Sequence, residues 1–268
     1  MNLAGRTAVV TGAGSGIGRA IALSLAARRC HLALADIDQA RLAKTRELLE
    51  NRGVNVSLHP LDVADRTVVA AFPAAVAQHH ATVDLLVNNA GVAVGGSFDE
   101  VSETDFEWLF DINFWGVVRM TRAFLPILKQ SNEARIVNIS SLFGLISPPG
   151  QTAYSASKFA VRAFSNALRY ELEGSRVAVT VVHPGGVATS IARDSRKPKD
   201  RSAAHIDEAI ARIEKLLRMP PEKAGELIVQ GVAKGKARIL VGTDAKVASL
   251  VERLMPVSYW RLLGRGLE

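Results

Sequence analysis

The stretch Thr7-Ala8-Val9-Val10-Thr11-Gly12-Ala13-Gly14-Ser15-Gly16-Ile17-Gly18 decides the fold. Five residues suited to a buried strand run into a bend holding four glycines. From Arg19 to Arg29 the pattern turns helical, with Ile21, Leu23, Leu25 and several alanines. Glycine permits backbone angles closed to other residues, and its bare backbone lets a diphosphate come close. A helix starting near Gly16 offers free N–H groups and a positive dipole end to such an anion. The spacing is Gly12-x-x-x-Gly16-x-Gly18, with Ile17 where Gly-x-Gly-x-x-Gly would place its third glycine.

Working outward, strand and helix patterns alternate. Strands are expected at 31–35, 55–58, 83–87, 135–139, 177–182 and 237–241. Helices are expected at 39–51, 68–80, 103–130, 154–173, 206–218 and 222–234. The strands are apolar without polar alternation, so both faces of the sheet are covered. Strand–helix–strand repetition implies parallel order with right-handed crossovers. The expected architecture is α/β: a doubly wound parallel sheet, Rossmann-like, in a single domain over 1–242. A helical excursion crosses the sheet at about 190–220, and an amphipathic C-terminal extension occupies 243–268.

Asp36 closes the second strand, twenty residues after Gly16. That is the separation of a carboxylate that binds the adenosine ribose hydroxyls. A carboxylate there repels a 2′-phosphate, and neither Ser15 nor Ile37 offers a cation to attract one. NAD is therefore the expected cofactor, ahead of NADP. Asp62-Val63 follows the third strand and is placed for the adenine edge, and Asn88-Asn89-Ala90-Gly91 follows the fourth. All lie at C-terminal ends of strands, where open parallel sheets bind ligands.

The chain has 268 residues, is 48% hydrophobic, and carries a net charge of +7, so it is an ordinary globular composition rather than a disordered one. The excess charge is concentrated late: sixteen Lys and Arg against ten Asp and Glu from Arg193 to Glu268. Solvated helix faces, an anionic substrate or a membrane surface would each account for it. Nucleic acid is not expected, because the cations are mixed with acids and lack interleaved aromatics. The lone Cys30 sits in an apolar stretch and reads as core filler. With no basic leader and no long apolar run, a cytoplasmic setting is expected.

Six motifs then fall in one order: Thr11-Gly12-x-x-x-Gly16-Ile17-Gly18, Asn88-Asn89-Ala90-Gly91, Asn113, Ser140-Ser141, Tyr154-x-x-x-Lys158 and Pro184-Gly185-x-Val187-x-Thr189. On these residues, over roughly 5–190, the chain resembles the short-chain dehydrogenases/reductases. The resemblance implies hydride transfer between NAD and a small alcohol or carbonyl substrate. It implies catalytic roles for Asn113, Ser141, Tyr154 and Lys158, with Asn113 positioning a water that links Lys158 to solvent. It also implies that Lys158 holds the nicotinamide ribose and that Pro184, Gly185, Val187 and Thr189 hold the nicotinamide end. Side-chain physics agrees for the central pair. Tyr154 and Lys158 lie four apart on one helix face, and an ammonium beside a phenol favours phenolate.

Beyond Ser190 the likeness stops helping. The segment to about Met219 stands where the family carries a substrate lid. Leu142, Phe143, Leu145, Pro148, Gly185 and Gly186 are the other candidate pocket residues, and their apolar character suggests a hydrophobic alcohol or ketone. His183 reads as a strand-end residue. In the tail, Val247, Leu250, Val251, Leu254 and Met255 form a stripe with Arg253, Arg261 and Arg265 beside it. Core or dimer packing is the first reading of that stripe and membrane docking the alternative. A homodimer or homotetramer is the expected assembly. Two other functions stay open: a non-catalytic dinucleotide binder, and a membrane-associated lipid-handling protein on the same fold.

Overall fold

In the computed structural model, residues 1–198 and 202–264 are described. The seven strands are β1 (Thr7–Thr11), β2 (His31–Asp36), β3 (Val56–Pro60), β4 (Leu85–Asn88), β5 (Ala134–Ile139), β6 (Val177–Pro184) and β7 (Arg238–Val241). They form one parallel sheet in the order β3-β2-β1-β4-β5-β6-β7. The chain reverses direction across the sheet between β1 and β4. Ligand sites open at such a point.

The helices are α1 (Gly16–Ala26), α2 (Gln39–Glu47), α3 (Arg66–Ala77), α4 (Glu103–Phe110), α5 (Gly116–Leu128), α6 (Thr152–Glu171), α7 (Ala203–Glu214), α8 (Pro221–Ala233), α9 (Thr243–Leu254) and α10 (Tyr259–Leu263). Alternate strand residues serve opposite layers, as two-sided burial demands. Ala8, Val10, Leu32 and Leu34 join the core beneath α1, α2 and α8. Val9, Ala33, Ala35 and Ile136 join the core beneath α3, α5 and α6. The approach of α8 to α1 is close, since a side chain on Gly225 would meet Ala20 at 2.6 Å.

Two expected elements differ. The helix expected over 103–130 is interrupted by a π-turn at Asp111–Trp115, which sets Asn113 inward. Such turns gather at functional sites. The tail is two helices, because Met255 precedes Pro256 and leaves helical geometry (φ −134°, ψ 63°). Its apolar stripe is not core: Val247, Leu250, Leu254 and Met255 are exposed and Val251 is half-buried. Arg265 lies outside the described residues. Among the described residues no helix is long and apolar enough to cross a membrane.

Candidate active site

The C-terminal ends of β1, β2 and β4 form a cradle. Gly12 (φ +62°) turns the chain out of β1, and its missing side chain leaves room for Asn89 Nδ2 at 2.8 Å. Thr11 Oγ1 accepts the N–H groups of Asn89 (3.0 Å) and Ala90 (3.1 Å), while Asn89 Nδ2 donates to the Gly12 carbonyl at 3.1 Å. These bonds lock the two loops together. Gly18 brings α1 down on β1, because a Cβ there would overlap the Gly12 carbonyl. Ser15 caps α1 with extended backbone and no side-chain bond, and the first turn holds no acid. The free N–H groups of α1 therefore stay available to an anion. Ile17 packs sideways into the core.

Asp36 sits at the end of β2 as expected. One carboxylate oxygen accepts the Gly14 N–H at 2.8 Å and the other accepts the Asp38 N–H at 3.0 Å. Reading only Ser15 and Ile37 for cations missed two arginines. Arg19 reaches the Gly14 carbonyl and Thr45, and the Arg41 stem lies against Gly14. Both guanidinium groups are engaged, Arg41 by Asp38 (3.1 Å) and Asp194 (3.2 Å). Asp62 accepts the Ala64 N–H at 2.9 Å, and Val63 is buried against Gly116.

Ser141, Tyr154 and Lys158 meet beside this cradle. The Ser141 hydroxyl accepts the Phe143 N–H at 3.1 Å and lies close enough to the Tyr154 phenol to favour its ionised form. Lys158 is buried, donates to the Ile139 carbonyl at 3.3 Å, and lies 5.6 Å from the Tyr154 ring centre. The preceding serine serves the scaffold instead, since Ser140 Oγ donates to the Lys158 carbonyl at 2.8 Å and fastens α6 to β5. Asn113 is fully buried. Its amide accepts the Val92 N–H (2.8 Å) and donates to the Val92 carbonyl (3.0 Å) and to Ser157 Oγ (3.2 Å). Its side chain thus braces the turn after Gly91. A side chain on Gly91 would come within 3.1 Å of Asn113 Oδ1 and 3.3 Å of Lys158 Nζ.

Burial sets the acidities. It pulls the Lys158 ammonium down to about 8. It raises the Tyr154 phenol above its ordinary value, and the Ser141 hydroxyl works the other way. The expected lowering of Tyr154 by Lys158 does not appear: burial sets the direction and Ser141 alone opposes it.

After β6, Val187 pairs with Met219 and is buried, and Thr189 lies over Gly16, 3.0 Å from where its Cβ would stand. Pro184 ends β6, and Gly185 donates its N–H to Val241 at 2.9 Å. A dinucleotide fits this arrangement: a glycine bend, uncapped helix N–H groups, a fixed carboxylate at the ribose end and a buried ammonium at the other.

A family model described as short chain dehydrogenase matches residues 6–200. The chain belongs to the short-chain dehydrogenases. It is 48% identical over 265 residues to SadH of Mycobacterium tuberculosis, provisionally named an oxidoreductase, covering 98% of this chain and 95% of that one. Among solved structures, a Burkholderia phymatum short-chain dehydrogenase/reductase in complex with NAD superposes with a TM-score of 0.86 at 32% identity, covering 95% of each chain. An alcohol dehydrogenase from Thermococcus sibiricus, complexed with 5-hydroxy-NADP, superposes at 0.70 with 28% identity, covering 88% of this chain and 95% of that one. This short-chain dehydrogenase is an oxidoreductase.

Three further residues shape the site: His183, expected only as a strand-end residue, and Ser157 and Asp244, not singled out from sequence. His183 is fully buried, and its Nδ1 bonds the Ser141 carbonyl at 2.9 Å. Burial holds it down to about 4, so the ring is neutral and donates from Nδ1. Its Nε2 has no partner among the described residues. Ser157 ties the Tyr154 carbonyl (2.8 Å) to Asn113. Asp244 accepts the Gly186 N–H at 2.6 Å. Three expected pocket residues are otherwise placed: Leu145 is fully buried, Gly185 is backed by Asp244, and Gly186 by the Leu216 carbonyl. Phe143 stays beside Tyr154, ring centres 6.2 Å apart.

Proposed function

We propose that the chain moves hydride between NAD(H) and the carbinol or carbonyl carbon of a hydrophobic secondary alcohol or ketone, with Tyr154 as acid and base. The observation that carries this is the convergence of the Ser141 hydroxyl, the Tyr154 phenol and the buried Lys158 ammonium beside a dinucleotide-shaped cradle. A pure binder has no need of a poised phenol.

The cofactor would lie with its diphosphate at Gly12, Ser15, Gly16, Ile17 and Gly18. Its adenosine would meet Asp36, Asp62 and Val63. Asn89, Ala90, Gly91, Lys158, Pro184, Gly185, Val187 and Thr189 would hold the nicotinamide half. When bound, it supplies the carbon that accepts or gives hydride. The chain does the rest. Ser141 holds the substrate oxygen and stabilises charge that builds there. In oxidation Tyr154 takes the hydroxyl proton, and in reduction it returns one. Charge on Lys158 would favour the phenolate as the proton leaves. Asn113, through its π-turn, keeps Lys158 in a proton path to solvent. The segment at about 190–220 acts as the lid, tied to the cofactor end by the Arg41–Asp194 ion pair.

NAD is preferred because two backbone N–H groups hold the Asp36 carboxyl group at the ribose end of the cradle, where it would crowd and repel a 2′-phosphate. The Burkholderia relative complexed with NAD supports this preference. The buried, lone Cys30 supports a cytoplasmic setting, and exposed Trp115 and Tyr170 on the helical faces support a homodimer or homotetramer. Calorimetric titration with NAD and NADP tests the cofactor. The native protein is expected to favour NAD by roughly tenfold or more, and Asp36→Ala to narrow that gap. Tighter NADP binding by the native protein would contradict the assignment.

A further inference from the structure

Helix α9 is inside out. It meets the body of the protein through its small residues, Ala245 and Ala248, which are buried. Its large apolar residues point away: Val247 is 49% exposed, Leu250 59% and Leu254 72%. At 3.6 residues per turn these three fall within an arc of about 60°, opposite the two alanines. The crest continues past the helix end in Val257, 94% exposed, and onto α10 in Leu262, 51% exposed. An apolar stripe normally faces the core. A continuous exposed one marks a surface that something else covers.

The charges around the crest choose the occupant. Lys246 and Arg253 flank it on one side and Arg261 stands on α10. None of the three enters an ion pair among the described residues. Both acids of α9 are engaged with the protein body. Asp244 accepts the Gly186 and Ala245 N–H groups, and Glu252 lies in the field of Arg238. Beside the crest, burial first and then the nearby Arg162 and Arg253 disfavour the charge on Arg238, with Glu252 opposing them, so arginines gather at this edge. A second copy on the same face would set like charges against like, because a two-fold contact joins a patch to itself. An anionic bilayer offers both an apolar interior for the leucines and opposite charge for the rim.

We propose that the outward face of α9 and α10 docks on anionic lipid surfaces. The docked face adjoins the substrate end of the cleft. The N–H of Ser147 bonds Tyr259 Oη at 3.0 Å, and α9 packs on the Leu142–Gly144 turn that follows Ser141. Binding requires no turnover, so the proposal stands or falls independently of the reaction assigned above.

The test is co-sedimentation of the full chain with vesicles of phosphatidylcholine alone or mixed with phosphatidylglycerol, at low and high salt. Leu250→Ser/Leu254→Ser and Lys246→Gln/Arg253→Gln are run beside it, with light scattering on each protein. The native chain is expected to pellet with the anionic vesicles, less at high salt. The glutamine pair is expected to weaken partitioning by roughly thirtyfold, and the serine pair to abolish it. All substituted side chains are exposed, and matching thermal transitions confirm intact folding. Three results would each overturn the proposal. One is failure of the native chain to pellet. Another is equal pelleting by native chain and variants. The third is a native dimer that the serine pair splits without any vesicle binding, which would give the surface to a second copy.

Discussion

The loop from Gly12 to Gly18 and the tail around Asp244 both bring backbone into close contact with a neighbour, but they differ in how the contact is encoded. At the first, the residues that make the contact also carry the sequence signal. Gly12 and Gly18 are spaced for the bend, and Thr11 and Asn89 sit in recognisable motifs that hydrogen-bond across β1 and β4. At the second, Gly185 and Gly186 are approached by Asp244, nearly sixty residues later, and α9 is drawn in on its alanines. Local motifs write the cofactor end. Distant packing writes the substrate end.

That difference can be sharpened by substitution. Lys158→Met is expected to have the largest effect. Turnover should fall by ~10³, typical for loss of an acid–base partner. The stability change runs the opposite way. The folded-state pKa of Lys158 is lowered to about 8 from 10.5, so the buried charge costs stability below 8 and the cost fades as pH rises to 10.5. Removing the ammonium should therefore stabilise the cofactor-free protein by up to roughly 3 kcal/mol at neutral pH, with the gain vanishing by pH 10.5. Urea unfolding across that range checks both the sign and the window.

Gly18→Ala should come next. A Cβ overlapping the Gly12 carbonyl pushes α1 off β1, costing about 1–3 kcal/mol and loosening dinucleotide binding together. Denaturation and calorimetry read the two effects. His183→Leu should be smaller. Losing the imidazole N–H on the Ser141 carbonyl lets that residue drift, lowering kcat roughly tenfold, or about 1.4 kcal/mol of barrier. Substrate KM should change less, because the binding walls remain, and steady-state kinetics separates the two. Leu254→Ser belongs at the bottom. Its exposure predicts a stability change within about 0.5 kcal/mol and unchanged turnover of a water-soluble substrate.

The same contrast explains what could be read from the chain. Parallel order, the strand ends and the position of Asp36 follow from apolar runs and glycine spacing, which are local. The pairing of Tyr154 with Lys158 follows from a four-residue step on α6. The π-turn at Asn113 was hidden, because inserting one residue leaves the helical pattern of 103–130 almost intact. His183 does stand at the end of β6 as expected, but its bond to Ser141 joins two strand ends far apart in sequence and so was not legible. The tail misled for a physical reason. Hydrophobic pattern identifies the apolar face of a helix, yet close approach to Gly185 and Gly186 selected the small face for burial instead.

The most direct test of the account is the appearance of NADH, followed by its absorbance, with a panel of hydrophobic secondary alcohols and both native protein and Tyr154→Phe. The account predicts NADH from the native protein, rising with pH as the phenol ionises, and its collapse in the variant while calorimetry still shows NAD bound. A Tyr154→Phe protein that turns over at the native rate, or a native protein that binds no NAD, would contradict it.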